Sequence, residues 1–83
     1  MRFDYLSITR EVAEKIYRKH RVTTEEAREA FEQGRVFRGP NSRLGGRTYI
    51  VRGRTYAGRR LWLLVRPVRL RVATLITARD DER

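Results

Sequence analysis

The sequence predicts one α+β domain over residues 1–83, an N-terminal helix hairpin packed on a three- to four-stranded antiparallel sheet, with a short helical turn allowed at the C-terminus. Three observations predict it. Apolar residues recur at three- and four-residue spacing before residue 34 and alternate with a period of two after it. The links between the later segments are short, which makes neighbouring strands antiparallel. Charge divides at the same point. Residues 35–79 hold twelve arginines, no lysine and no acid, whereas residues 1–34 hold seven basic and seven acidic side chains. The net charge of +10 is therefore made by the β half alone.

Taken in order, residues 3–5 form either a short strand or an extended arm. From Thr9 the spacing of Val12, Ala13, Ile16, Tyr17 and His20 puts them on one helical stripe, with Arg10, Glu11, Glu14, Lys15 and Arg18 on the other faces. Ser7 or Thr9 can cap this helix, and Arg18, Lys19 and Arg21 complement its C-terminal dipole. A second helix is announced by Thr23 with Glu26 three residues later, a capping box, with Val22 and Ala27 at the flanking apolar positions. Ala27, Ala30 and Phe31 make its apolar stripe, and Gly34 ends it.

Residues 38–46 read as a loop rich in Gly, Pro, Asn and Ser, followed by strands over 47–55, 59–66 and about 70–77. Tyr56, Ala57 and Gly58 supply the first turn and Pro67 marks the second. Parity sorts the side chains. Leu61, Leu63 and Val65 oppose Arg60, Trp62, Leu64 and Arg66 on the central strand, and Tyr49, Val51 and Gly53 oppose Ile50, Arg52 and Arg54 on the first. On the third, Leu70, Val72, Thr74 and Ile76 oppose Arg69, Arg71, Ala73 and Leu75. One face packs on the helices. The other is an arginine field around Trp62, too apolar to be simply solvated, which predicts cover by a partner or by a second copy, a homodimer.

Composition narrows the chemistry. A pI near 11.3 in so small a domain is the electrostatic footprint of a nucleic-acid binder or of a protein stored against an acidic partner. Compositional bias explains the preference for arginine over lysine but not the missing acids. With no cysteine and one histidine, the reading includes no metal and no cofactor. The longest apolar run, residues 61–65, is far below the roughly 20 residues of a membrane-spanning helix, so a soluble cytoplasmic protein is expected.

His20 is the one side chain whose ordinary pKa lies near neutrality, which makes it the candidate general acid or base; it equally fits a packing role at a helix end. Arg52, Arg54, Arg60, Arg66, Arg69 and Arg71 are read as a cross-strand array. Like charges so placed repel, and phosphates relieve them. Tyr49, Tyr56 and Trp62 interleave with them, a mixture suited to stacking single-stranded bases, although each aromatic alone also fits a core. Arg79 either pairs with the acids at 80–82 or points into a site, and parity leaves both open.

These features in this order carry a resemblance. Lys19-His20-Arg21-Val22-Thr23 with Glu25, Glu26, Ala27 and Phe31, then Gly53-Arg54-Thr55-Tyr56-Ala57-Gly58-Arg59 before an apolar strand, then Leu75-Ile76-Thr77-Ala78-Arg79 with Glu82-Arg83, resembles the BrnT family of bacterial type II toxins. That resemblance covers residues 16–83 and implies a RelE-like ribonuclease working without a metal, neutralised by a small ribbon-helix-helix antitoxin, BrnA. It implies that the family's Lys-His pair falls on Lys19 and His20 and its motif arginine on Arg79. The chain departs from the family at Arg47-Thr48, where an acid is usual, and at Arg21, where glycine is usual.

Together these imply a metal-independent endoribonuclease toxin, with His20, Arg54 and Arg79 catalytic and Lys19, Arg52, Arg60, Trp62, Arg66, Arg69 and Arg71 binding RNA. The partners are RNA and a small acidic antitoxin. A rival reading is a non-catalytic RNA-binding or ribosome-associated module using the same face.

Overall fold

The computed structural model describes residues 3–41 and 46–81. Helix α1 (Arg10–His20) starts where the Thr9 hydroxyl accepts the Val12 amide at 3.2 Å. It ends on Arg21, whose backbone is left-handed at φ 54 and ψ 38, the conformation glycine adopts most readily. Only Ile16 of the expected stripe is buried outright; Tyr17 is half exposed beneath the Arg21 guanidinium. Helix α2 (Thr24–Gln33) carries the predicted capping box in full: Thr23 and Glu26 satisfy each other's backbone amides at 3.0 and 3.1 Å.

Five strands form one sheet, β1 (Tyr5–Ser7), β2 (Arg35–Asn41), β3 (Arg47–Arg54), β4 (Arg60–Arg69) and β5 (Val72–Asp80), in the order β1-β5-β4-β3-β2. The four later strands make the expected antiparallel meander with β4 at its centre, while β1 joins β5 in parallel. The sheet thus has one strand more than the three to four predicted: β1 overlaps the short strand allowed at residues 3–5, and β2 is added at the other edge. The stretch read as a loop from residue 38 is strand as far as Asn41, because Gly39 and Pro40 fall on an edge strand, where a missing amide is tolerated. Residues 42–45 lie outside the described residues. The second hairpin turn is at Leu70 and Arg71, not at Pro67, which lies inside β4 opposite Ala73 beside a register shift. The helical turn allowed at the C-terminus is not formed at Asp80, which ends β5; Glu82 and Arg83 lie outside the described residues.

The helices cover one face. Ile16, Val22, Ala27 and Ala30 meet Val51, Leu61, Leu63, Val65 and Leu75, all at most 2% exposed. Tyr49 joins them, edge-on to Phe3 at 5.6 Å. Helix α2 approaches β3 so closely that a Cβ on Gly53 would lie 2.0 Å from the Ala30 carbonyl oxygen. That glycine is dictated by contact between two backbones.

Candidate nucleic-acid interface

The other face of the sheet has no helix on it, and strand pairing brings its arginines into rows. Arg35 stands opposite Arg52, Arg52 opposite Trp62, and Trp62 opposite Arg79, so one row crosses β2, β3, β4 and β5. Arg54 and Arg60 face each other in the next row toward the β3–β4 turn. On the far side an apolar row, Phe37, Ile50 and Leu64 with Thr77, separates these from Arg66 and Thr74. Side chains directly opposite on neighbouring strands have Cβ atoms about 4.5–5.5 Å apart, so the guanidiniums reinforce one another's field.

Arg79 reaches this face because of a bulge. Leu64 pairs with Thr77 but Val65 pairs with Leu75, which leaves Ile76 as an extra residue on β5. Ala73 and Leu75 point to the helices before it, and Ala78 does so after it. Without the extra residue Arg79 would share parity with Leu75 and point under the helices. With it, the Arg79 guanidinium lies 4.2 Å from the centroid of the half-buried Trp62 ring, a cation–π stack. The Lys15 ammonium, 3.1 Å from the Ile76 carbonyl, holds the bulge from helix α1.

Beside the first two rows an open pocket of about 220 Å³ is lined by Arg35, Phe37, Arg52, Arg54, Arg60 and Asp81. Asp81 takes Arg52 at two points, Nε to Oδ2 at 2.8 Å and Nη2 to Oδ1 at 3.3 Å. Among the described residues Arg54, Arg60 and Arg79 have no carboxylate partner.

Arg59, one residue before β4, has the opposite surroundings. It donates to both oxygens of Asp80, at 2.7 and 3.1 Å, and to both of Glu26, at 3.1 and 3.2 Å. It also donates to the His20 and Arg21 carbonyls at 3.0 and 2.9 Å, so it caps the C-terminus of α1 and ties it to α2 and β5. The Arg59 hydrogen bonds hold the Asp80 carboxyl below its ordinary value, with the nearby His20 adding to the effect. The Thr23 amide does most to lower Glu26, and Arg59 lowers it further.

The sequence-derived site residues therefore divide. Arg52, Arg54, Arg60, Trp62, Arg66 and Arg79 share the open face. His20 and Lys19 lie at the end of α1, in the helix layer on the other side of the sheet, with His20 close to Asp80. The structure does not bring His20 onto the face that holds Arg54 and Arg79. Arg69 and Arg71 also leave the array. The third strand begins at Val72 rather than near residue 70, so Arg69 ends β4 and Arg71 sits in the turn at φ 63, paired with Asp4 at 3.0 Å. Of the three aromatics only Trp62 lies among the arginines. Tyr49 is core, and Tyr56 at the turn leans to the helix side, its hydroxyl donating to Glu32 at 3.0 Å.

Sequence reasoning missed Arg35, Phe37 and Asp81. The alternation Arg35-Val36-Phe37 directly after Gly34 is a strand signal for the first two. Asp81 carries no local signal, since its partner is 29 residues away. Among the described residues no three His, Asp or Glu side chains converge to hold a metal ion, and no helix is long and apolar enough to cross a membrane.

No protein-family model matches the chain, and no curated protein matches it in sequence. Among solved structures, the crystal structure of the Brucella abortus ribonuclease toxin BrnT matches with a TM-score of 0.71, covering 95% of this chain and 97% of that chain at 15% sequence identity. The chain has the BrnT fold. At that identity the likeness is one of fold alone.

Proposed function

We propose that this protein is an RNA-cleaving toxin of a type II toxin–antitoxin pair, working without a metal, and that RNA lies on the open face of the sheet. The observation that carries the reading is the row Arg35, Arg52, Trp62 and Arg79, with Arg54 and Arg60 beside it, on a fold shared with a ribonuclease toxin. Trp62 offers a ring for a base, and the arginines grip phosphate oxygens with planar forks. In the reaction the RNA 2′-hydroxyl attacks its own phosphate, and Arg54 and Arg79 stabilise the charge that builds on phosphorus. His20 moves a proton only for RNA that turns around the end of the sheet, past Arg59 and Asp80. A small acidic antitoxin of the BrnA kind is the partner that would cover this face in the resting cell, and the cytoplasm is where both would act. A second copy is a poor cover for it, since two such fields repel.

Expression should arrest growth, and the pure protein should cleave RNA in excess EDTA. Arg54→Ala and Arg79→Ala are each expected to slow cleavage by about 100-fold while the fold is kept. Full cleavage by both variants would remove the proposed role of this face.

One observation favours the non-catalytic reading: His20 stands on the other side of the sheet from the arginines. It predicts RNA binding that weakens with salt and no cleavage in any buffer, with His20→Ala inert.

A further inference from the structure

We infer that Asp81 is the proton acceptor for the RNA 2′-hydroxyl, an inference that rests on the ribonuclease reading above. In-line attack on phosphorus needs a group to take the hydroxyl proton at the place where phosphate is held. Guanidinium groups stay protonated and cannot take it. Asp81 is the one carboxylate lining the arginine pocket among the described residues.

Its position is built rather than incidental. The Asp81 amide donates to the Arg60 carbonyl at 3.0 Å, which carries the β4–β5 ladder one residue past the end of β5 and sets the direction of the side chain. The two-point contact with Arg52 then fixes the carboxylate plane, and the side chain is only 13% exposed. Arg52 itself stands between Arg35 and Trp62 in the row that crosses the sheet. A phosphate gripped by Arg54 and Arg60 would thus lie beside a carboxylate oriented by Arg52, with the pocket still strongly positive, four guanidiniums against one carboxylate. Arg52 is a positioning residue in this arrangement.

The step balances without a further reagent. A bond forms between O2′ and phosphorus while the bond from phosphorus to O5′ breaks. The O2′ proton passes to the Asp81 carboxylate, O5′ takes a proton from water, and Asp81 returns its proton to solvent. The products are a 2′,3′-cyclic phosphate end and a 5′-hydroxyl end.

The test uses the purified full chain with a labelled single-stranded RNA, and the same oligomer with 2′-deoxy substitution as control. Asp81→Asn is expected to cleave about 100-fold more slowly or worse, with RNA affinity held or tightened because a negative charge has left the pocket. Asp81→Glu, which keeps a carboxylate, should retain at least about a tenth of the rate. Cleavage by Asp81→Asn within about fivefold of wild type overturns the assignment and leaves the ribonuclease reading standing. A folded Asp81→Glu that cleaves about 100-fold more slowly than wild type also overturns it, whether or not Asp81→Asn folds. A wild-type protein that binds RNA and never cleaves it overturns both.

Discussion

Arg59 and Arg60 are adjacent where β4 begins and point to opposite sides of the sheet. Arg59, on the helix side, donates to Glu26, Asp80 and two carbonyls at the end of α1. Arg60, on the bare side, faces Arg54 across the sheet and lines the basic pocket. On the covered side Arg59 has been given two carboxylate partners and serves the fold. On the open face the charges are left together around Trp62 and Phe37, and among the described residues Arg52 is the one matched by a carboxylate, Asp81. The difference teaches that the arginine content of the β half is two populations with two roles, which composition cannot separate.

The contrast is sharpest at the centre of β4. Leu63→Ala removes a fully buried side chain and is expected to cost about 2–5 kcal/mol, enough to unfold much of so small a domain. Trp62→Ala, one residue away, should leave the chain folded and weaken single-stranded RNA binding by about 1–3 kcal/mol. Urea denaturation and fluorescence titration measure the two; equal loss of stability in both would erase the distinction between faces.

The next largest effect separates the arginine pair. Arg59→Ala leaves Glu26, Asp80 and the end of α1 without their shared donor and should cost about 2 kcal/mol, whereas Arg60→Ala should change stability by less than about 0.5 kcal/mol. The same node sets the response to acid. Glu26 and Asp80 have folded pKa values below their ordinary 4.5 and 3.8. Their contribution to stability is therefore present above those values and lost as pH falls through the lower folded ones. Stability is expected to fall as acid protonates the two carboxylates, and Arg59→Ala should flatten that dependence, leaving mainly the Thr23 part at Glu26. The smallest effect is on salt. Arg54→Ala or Arg60→Ala should each reduce the slope of log affinity against log salt by about one unit, while a folded Arg59→Ala should leave it unchanged.

Much of the fold was legible because local chemistry specifies it. Thr23 and Glu26 announce α2, and the parity of Leu61, Leu63 and Val65 marks the core face of the central strand. The edges were not legible. Pro40 and Gly39 speak for a loop in isolation, and only pairing with β3 makes their segment a strand. At the site, Arg52, Arg54, Arg60 and Trp62 followed from parity within their own strands. Arg71 did not, since its strand begins one residue after it, and Asp81 did not, since its partner is remote.

By itself the sequence determined the helix hairpin, the meander, the acid-free basic half and the face on which Trp62 would stand, because capping and a period of two act over a few neighbouring residues. The tertiary structure alone decided which arginines meet. The extra residue at Ile76, held by Lys15 from across the core, turns Arg79 out over Trp62. Arg59 is drawn inward by carboxylates 33 and 21 residues away. Register and ion pairing are settled between segments distant in the chain, so no reading of one segment contains them.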